Sequence, residues 1–136
     1  MKFKIIDDLT SDEYYEAYGK DLRELFENAA TGMFTIMCRI ERIKPRKGLP
    51  IEVTGRDAKD LLYNWLTRLI ACVDGDEMFL SKFEISEIDE HHVKAIVYGD
   101  AISSETGNLG VKAITNYKFD LIREKEGYKA TIAVDV

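Results

Sequence analysis

The stretch DLTSDEYYEAYGKDLRELFENAATGMFTIM, residues 8–37, decides how this chain folds, because its first half reads two ways. From Asp21 onward there is one reading. Leu22, Leu25, Phe26, Ala29, Ala30, Met33, Phe34 and Met37 recur at helical spacing, Asp21 can cap the first turn, and Glu24 completes a capping box. Asp8 to Gly19 is ambiguous. Thr10 followed by Glu13 is a second capping box, and Tyr14, Tyr18 and Leu22 are spaced as on a helix, which would extend the helix backwards. Against this, Gly19 inside the run costs a helix about 1 kcal/mol relative to alanine, and clustered tyrosines favour a strand. The residue pattern leaves both conformations open.

Outward from this stretch the elements follow in order. KFKIID, residues 2–7, alternates apolar and polar positions as a half-buried strand does. PIEVTG, residues 50–55, alternates likewise, after which Asp57 can cap a second helix carrying Leu61, Leu62, Trp65, Leu66, Leu69 and Ile70 on one side and ending at Gly75. The period then becomes two. FLSKFEISEI, VKAIVYG, VKAITNYKFDLI and YKATIAVDV read as strands joined by turns at EHH, SSETGN and KEGY, an antiparallel meander. Two striped helices and a sheet with one apolar face bury those faces against each other, so the expected fold is α+β: a single domain over residues 1–136, with two α-helices packed on a mainly antiparallel β-sheet. Trp65, Phe26, Phe34 and Phe79 belong to the core by their spacing. No internal repeat, low-complexity tract or linker is evident.

Composition sets the bounds on function. The chain has 136 residues, 46% hydrophobic and 32% charged, which suits a folded globular chain. No apolar run approaches the length that spans a bilayer, and MKFKIIDD turns acidic too soon for a signal peptide, so a cytoplasmic location without membrane attachment is expected. Cys38 and Cys72 stand alone in apolar surroundings and read as small buried thiols. The formal charge of −6, with scattered basic residues, argues against strong direct nucleic-acid binding. RIERIKPRK, residues 39–47, is the local exception, readable as a solvated loop or as a binding patch. The chain has no phosphate-cradling GxxxxGK[ST], no GxSxG elbow and no HExxH, and His91 and His92 fall in an expected turn, so a self-sufficient catalytic site is not visible.

DLTSDEYYEAYGKDLRELFENAATGMF resembles the archease opening DHTADVGIRAYGKTLEELFENAA. DLLYNWLTRLI resembles that family's DLLxEWLNELL helix, VKAITNY its KAVTYH strand, and the final VDV its closing FDV. AYGK with LFENAA, the DLLxxWL helix and the Asp-Val ending, in this order, cover most of the chain. The resemblance implies that residues 13–18 form a strand and that the helix starts after Gly19. It also implies a divalent-metal site, calcium first with magnesium or manganese as alternatives, at Asp12, Asp135 and Val136, the positions matching the family's ligands. Hard oxygen donors suit such cations, and carboxylates brought together need a cation or a basic partner to settle their repulsion. Lys112, at the lysine of KAVTYH, is a second candidate, for contact with phosphate or an acidic partner; the alternative is a lysine paired across the sheet.

The resemblance further implies a protein that acts through a partner rather than as an enzyme. Archeases activate the tRNA-splicing RNA ligase, which works through a guanylylated histidine, by speeding formation of its guanylate intermediate and allowing repeated turnover. Asp12, Lys112 and Asp135 are the candidates for that role. Two other classes stand beside it. One is a chaperone-like modulator of RNA-processing enzymes such as a tRNA cytosine-5-methyltransferase. The other is a small metal-dependent phosphohydrolase acting through Asp12 and Asp135, which has no evident base beside the two carboxylates. The chain departs from the family pattern at Leu9 and Tyr117, where the family has histidines, at Tyr14 in place of glycine, and at Asn64 in place of glutamate.

Overall fold

The computed structural model describes residues 2–6, 12–107 and 110–135, with the main chain alone at Asp12, Glu13, Asn116 and Tyr117. The described part of the ambiguous segment, Asp12–Gly19, is a strand. In chain order the elements are β1 (Phe3–Ile6), β2 (Asp12–Gly19), α1 (Leu22–Met37), a short 3-10 turn (Ile40–Arg42), β3 (Lys47–Thr54), α2 (Ala58–Asp74), β4 (Met78–Ile88), β5 (His92–Ala101), β6 (Ala113–Glu124) and β7 (Gly127–Asp135). All pairings between these strands are antiparallel. Thr10, of the alternative capping box, lies outside the described residues.

The strands form two sheets rather than one, ordered β1-β2-β7-β6 and β3-β5-β4. The expected meander is therefore broken between β5 and β6. Both edges of β5 are already taken, by β3 and β4, so the chain crosses to the other sheet, where β7 takes β2 as its second neighbour. β3 also begins earlier than expected and includes Pro50. A residue with no N–H fits there because β3 is an edge strand. His92 opens β5, its Nε2 3.2 Å from a Glu52 oxygen, and only His91 remains in the turn.

Each helix touches both sheets. On α1, the Ala29 carbonyl accepts the Tyr15 hydroxyl of β2 at 2.6 Å, and Phe34 stacks on Phe83 of β4 at 5.7 Å. On α2, Tyr63 donates to the Ile114 carbonyl of β6 and meets Phe119 edge-on at 5.5 Å. Trp65 joins the helices: its indole N–H donates to the Phe26 carbonyl at 3.1 Å, and its ring lies 6.3 Å from that of Phe26. Trp65, Phe26, Phe34 and Phe79 are all buried, as their spacing predicts. Cys38 and Cys72 are buried too, and burial pushes the Cys38 thiol up to about 12.

One short pattern occurs twice. YGKDLRELFEN, residues 18–28, and TGRDAKDLLYN, residues 54–64, build the same strand-to-helix junction. Asp21 and Asp57 accept from the amides of Glu24 and Asp60 at 2.9 and 2.8 Å, capping α1 and α2. Glu24 and Asp60 reach back to the amides of Lys20 and Arg56, one residue before the cap rather than the cap itself. Asn28 and Asn64 donate to the carbonyls of Tyr18 and Thr54, tying the second turn of each helix to the end of its preceding strand. A Cβ on Gly19 or Gly55 would collide with the main chain of Leu25 or Leu61, so both junctions require glycine. Asn64 thus serves this junction where the family pattern has glutamate.

Candidate functional site

Strand register builds the candidate site. β7 lies between β2 and β6, and the pairings place Asp135 as the Cα partner of Asp12 on one side and of Ala113 on the other. Cross-strand partners share a face of a sheet with Cβ atoms about 5 Å apart, so the two expected acidic residues are neighbours despite their separation in sequence. Lys112 lies immediately before β6, not within it, and its amide donates to the Asp135 carbonyl at 2.7 Å. Asp12, Asp135 and Lys112 are therefore brought together through their main chains. Val136 and Leu9 lie outside the described residues.

The turn after α1 reaches the same end of the molecule. Asn28 bonds Tyr18 and Ala29 bonds Tyr15, so α1 runs back along β2 and its C-terminus returns towards Asp12. Cys38 bridges to Gly107, and the Arg39 amide donates to the Thr106 carbonyl at 2.7 Å. The segment that follows Gly107 leads to Lys112 and so to Asp135.

Charge at this end is unevenly settled. Glu16, further along β2, is held by the Lys129 ammonium at 2.9 Å and by the Tyr18 hydroxyl, which keep its carboxyl below the ordinary value. The Asp135 carboxylate and the Lys112 ammonium make no ion pair among the described residues. Also among the described residues, no group of three or more His, Cys, Asp or Glu is placed to hold a metal ion, and the Asp12 side chain and Val136 are not among them.

Lys118 is a residue that the alternating pattern does not mark. The pairing of β6 with β7 slips between Thr115 and Asp120, and the bulge turns Lys118 to φ 58°, which sets its ammonium 4.9 Å from the centre of the Tyr14 ring. A lysine cation is thereby held two residues from Asp12. The one local signal is the NYK run, since a bulge is invisible to period-two reading.

The chain matches the model of the Archease protein family (MTH1598/TM1083) over residues 3–136. It is 34% identical to the protein archease of Archaeoglobus fulgidus, all of each chain being covered. Among solved structures it is similar to the solution structure of protein 1598 of Methanobacterium thermoautotrophicum, with a TM-score of 0.81, 31% identity and 98% of each chain covered. The crystal structure of an archease, possible chaperone, from Thermotoga maritima shares the fold, with a TM-score of 0.69 at 14% identity over 96% of this chain and 95% of that one. The chain belongs to the archease family.

Proposed function

We propose that this protein is a cytoplasmic, non-catalytic activator of the tRNA-splicing RNA ligase, promoting the ligase's guanylylation and its repeated turnover. The observation that carries the reading is the pairing of Asp12 with Asp135, with the Lys112 amide on the Asp135 carbonyl. Family membership supports it. Among the described residues, no helix is long and apolar enough to cross a membrane.

A divalent cation, calcium or alternatively magnesium or manganese, fits the donor chemistry of this end. Asp12 and Asp135 are hard carboxylate donors on neighbouring strands, and the Asp135 carboxylate has no ion-pair partner among the described residues. Asp12, Asp135 and Val136 would hold the ion, which when bound would supply positive charge against their mutual repulsion. The chain's own contribution is positional. The β2–β7–β6 ladder fixes the spacing of the two acidic residues, and the Lys112 bond fixes the end of β7, so the tip meets a partner already ordered.

A second reading, a chaperone-like modulator of RNA-modifying enzymes such as a tRNA cytosine-5-methyltransferase, is favoured by the description of the Thermotoga maritima protein as a possible chaperone. Multiple-turnover RNA ligation separates the two. With limiting ligase from the same source, GTP and manganese, several products per ligase only when this protein is added supports the activator. Unchanged yield, together with protection of a methyltransferase from aggregation, supports the modulator.

A further inference from the structure

The basic run at residues 39–47 is not a loose linker. Ile43 is buried in the core, the Arg46 amide donates to the Gly99 carbonyl at 3.1 Å, and Arg39 is tied to Thr106. The 3-10 turn closes within the run through Arg42 to Arg39 and Ile43 to Ile40. Arg39, Arg42, Lys44, Arg46 and Lys47 are all exposed on this ordered scaffold. Only Arg46 has an ion pair among the described residues, with Asp100 at 3.4 Å. Five cations against the one carboxylate of Glu41 give the run a net +4, and the formal −6 of the whole leaves −10 on the other residues. The run is thus a local positive patch on an otherwise acidic chain.

The run leads into β3, where Gly48 pairs with Tyr98 and Pro50 with Ile96 on the outer face of the β3-β5-β4 sheet. Tyr98 lies close over Gly48 with the Lys82 ammonium 5.2 Å from its ring centre, and Ile96 stands 43% exposed. Beside them a depression of about 250 Å³ is lined by Pro50, Glu52, Ser86, Lys94 and Ile96. Cations held in order beside an aromatic and apolar strip are what a phosphate backbone with unstacked bases requires. The arginines offer forked donors that match phosphate oxygens.

We propose that this surface binds single-stranded RNA, with residues 39–47 taking phosphates and the Tyr98–Ile96 strip lying under the bases. The choice of RNA rests on the proposed role beside an RNA ligase; the surface itself does not. Because few phosphates are engaged, binding is weak and its salt dependence is set by those few contacts at about 0.7 per phosphate, which agrees with the absence of a chain-wide basic footprint.

The test is fluorescence anisotropy of a labelled oligouridylate of about 12 nucleotides against the full chain at about 50 mM salt, then at rising salt. Saturable binding is expected. Arg39→Glu with Arg42→Glu and Lys44→Glu should weaken it at least about tenfold and flatten the plot of log affinity against log salt by about 2, at about 0.7 per phosphate on a single strand. Lys20→Glu with Lys125→Glu, cations beyond the far end of β2, should leave affinity within about twofold, as single charges at a distance from the bound phosphates do. If the triple reversal does not fold by circular dichroism, Arg42→Ala with Lys44→Ala should flatten the slope by about 1.4 instead. Absence of saturable binding, or equal loss in the Lys20 and Lys125 variant, overturns the proposal. So does polyglutamate binding in place of RNA, which would make this a surface for an acidic protein. No ligase is present, so failure here is distinct from failure of the activator reading.

Discussion

Asp135 occupies both sides of its residue at once: its main chain is fixed between β2 and Lys112, while its carboxylate has no ion pair among the described residues. Asp135 is not among the core residues, so its substitution removes charge without opening the core. Asp12→Ala and Asp135→Ala are each expected to abolish calcium or manganese binding in calorimetric titration while changing stability by no more than about 0.5 kcal/mol, the range for surface changes. A stability loss several times larger would make the pair structural. Glu16 behaves differently because it has partners. Its folded-state carboxyl is lowered first by the Lys129 hydrogen bond and then by Tyr18, so the stability it contributes is present above the ordinary value of 4.5 and is lost as pH falls through the lowered folded value. Glu16→Gln should therefore reduce stability at neutral pH and shrink the loss seen in urea titrations on going from pH 5 towards pH 3. A parallel shift at every pH would show that the pair contributes no linkage.

The two helices begin alike, and their caps should have like value. Asp21→Ala and Asp57→Ala are each expected to cost about 1 kcal/mol in urea unfolding, since each leaves one first-turn amide without its side-chain acceptor. A large difference between them would contradict the equivalence of the junctions. α1 also guards an open strand edge. Glu27 accepts the Ile85 amide at 3.2 Å and Arg23 donates to the Ser86 carbonyl at 3.4 Å, so these β4 groups are covered rather than offered to another chain. Glu27→Ala should speed hydrogen exchange at Ile85 and raise aggregation on heating, read by amide exchange and light scattering; unchanged exchange would mean that the contact is not formed in solution. Helix stripes, caps and strand alternation were legible because they are local. The strand at Asp12–Gly19 was not legible from pattern, because tyrosines at helical spacing also line a strand and the deciding partner, β7, lies at the other end of the sequence. The split into two sheets was hidden for a related reason: alternation tells that one face is buried but not which strand sits alongside.

Across the whole molecule, both sheets are bound through the same two helices, and Trp65 sits at their crossing, fully buried and hydrogen-bonded to Phe26. Trp65→Ala is expected to cost about 3 to 5 kcal/mol by leaving a cavity there. Unfolding should remain a single transition by circular dichroism and fluorescence; two separated transitions would show that the sheets are independent. The candidate site belongs to this scale as well. Neither acidic residue announces itself locally: Asp12 reads as a turn residue and Asp135 as a solvated end, and it was the family resemblance, then the ladder, that joined them. Lys118 shows the converse, a cation placed near the site by a bulge that alternation cannot reveal. The most direct measurement is multiple-turnover RNA ligation by limiting partner ligase with the wild-type protein, Asp12→Ala and Asp135→Ala in parallel, each checked for folding. Several products per ligase with the wild type and about one with either variant is the predicted result. Equal turnover with all three folded proteins, or none with the wild type, would contradict the assignment of activation to the Asp12–Asp135 end.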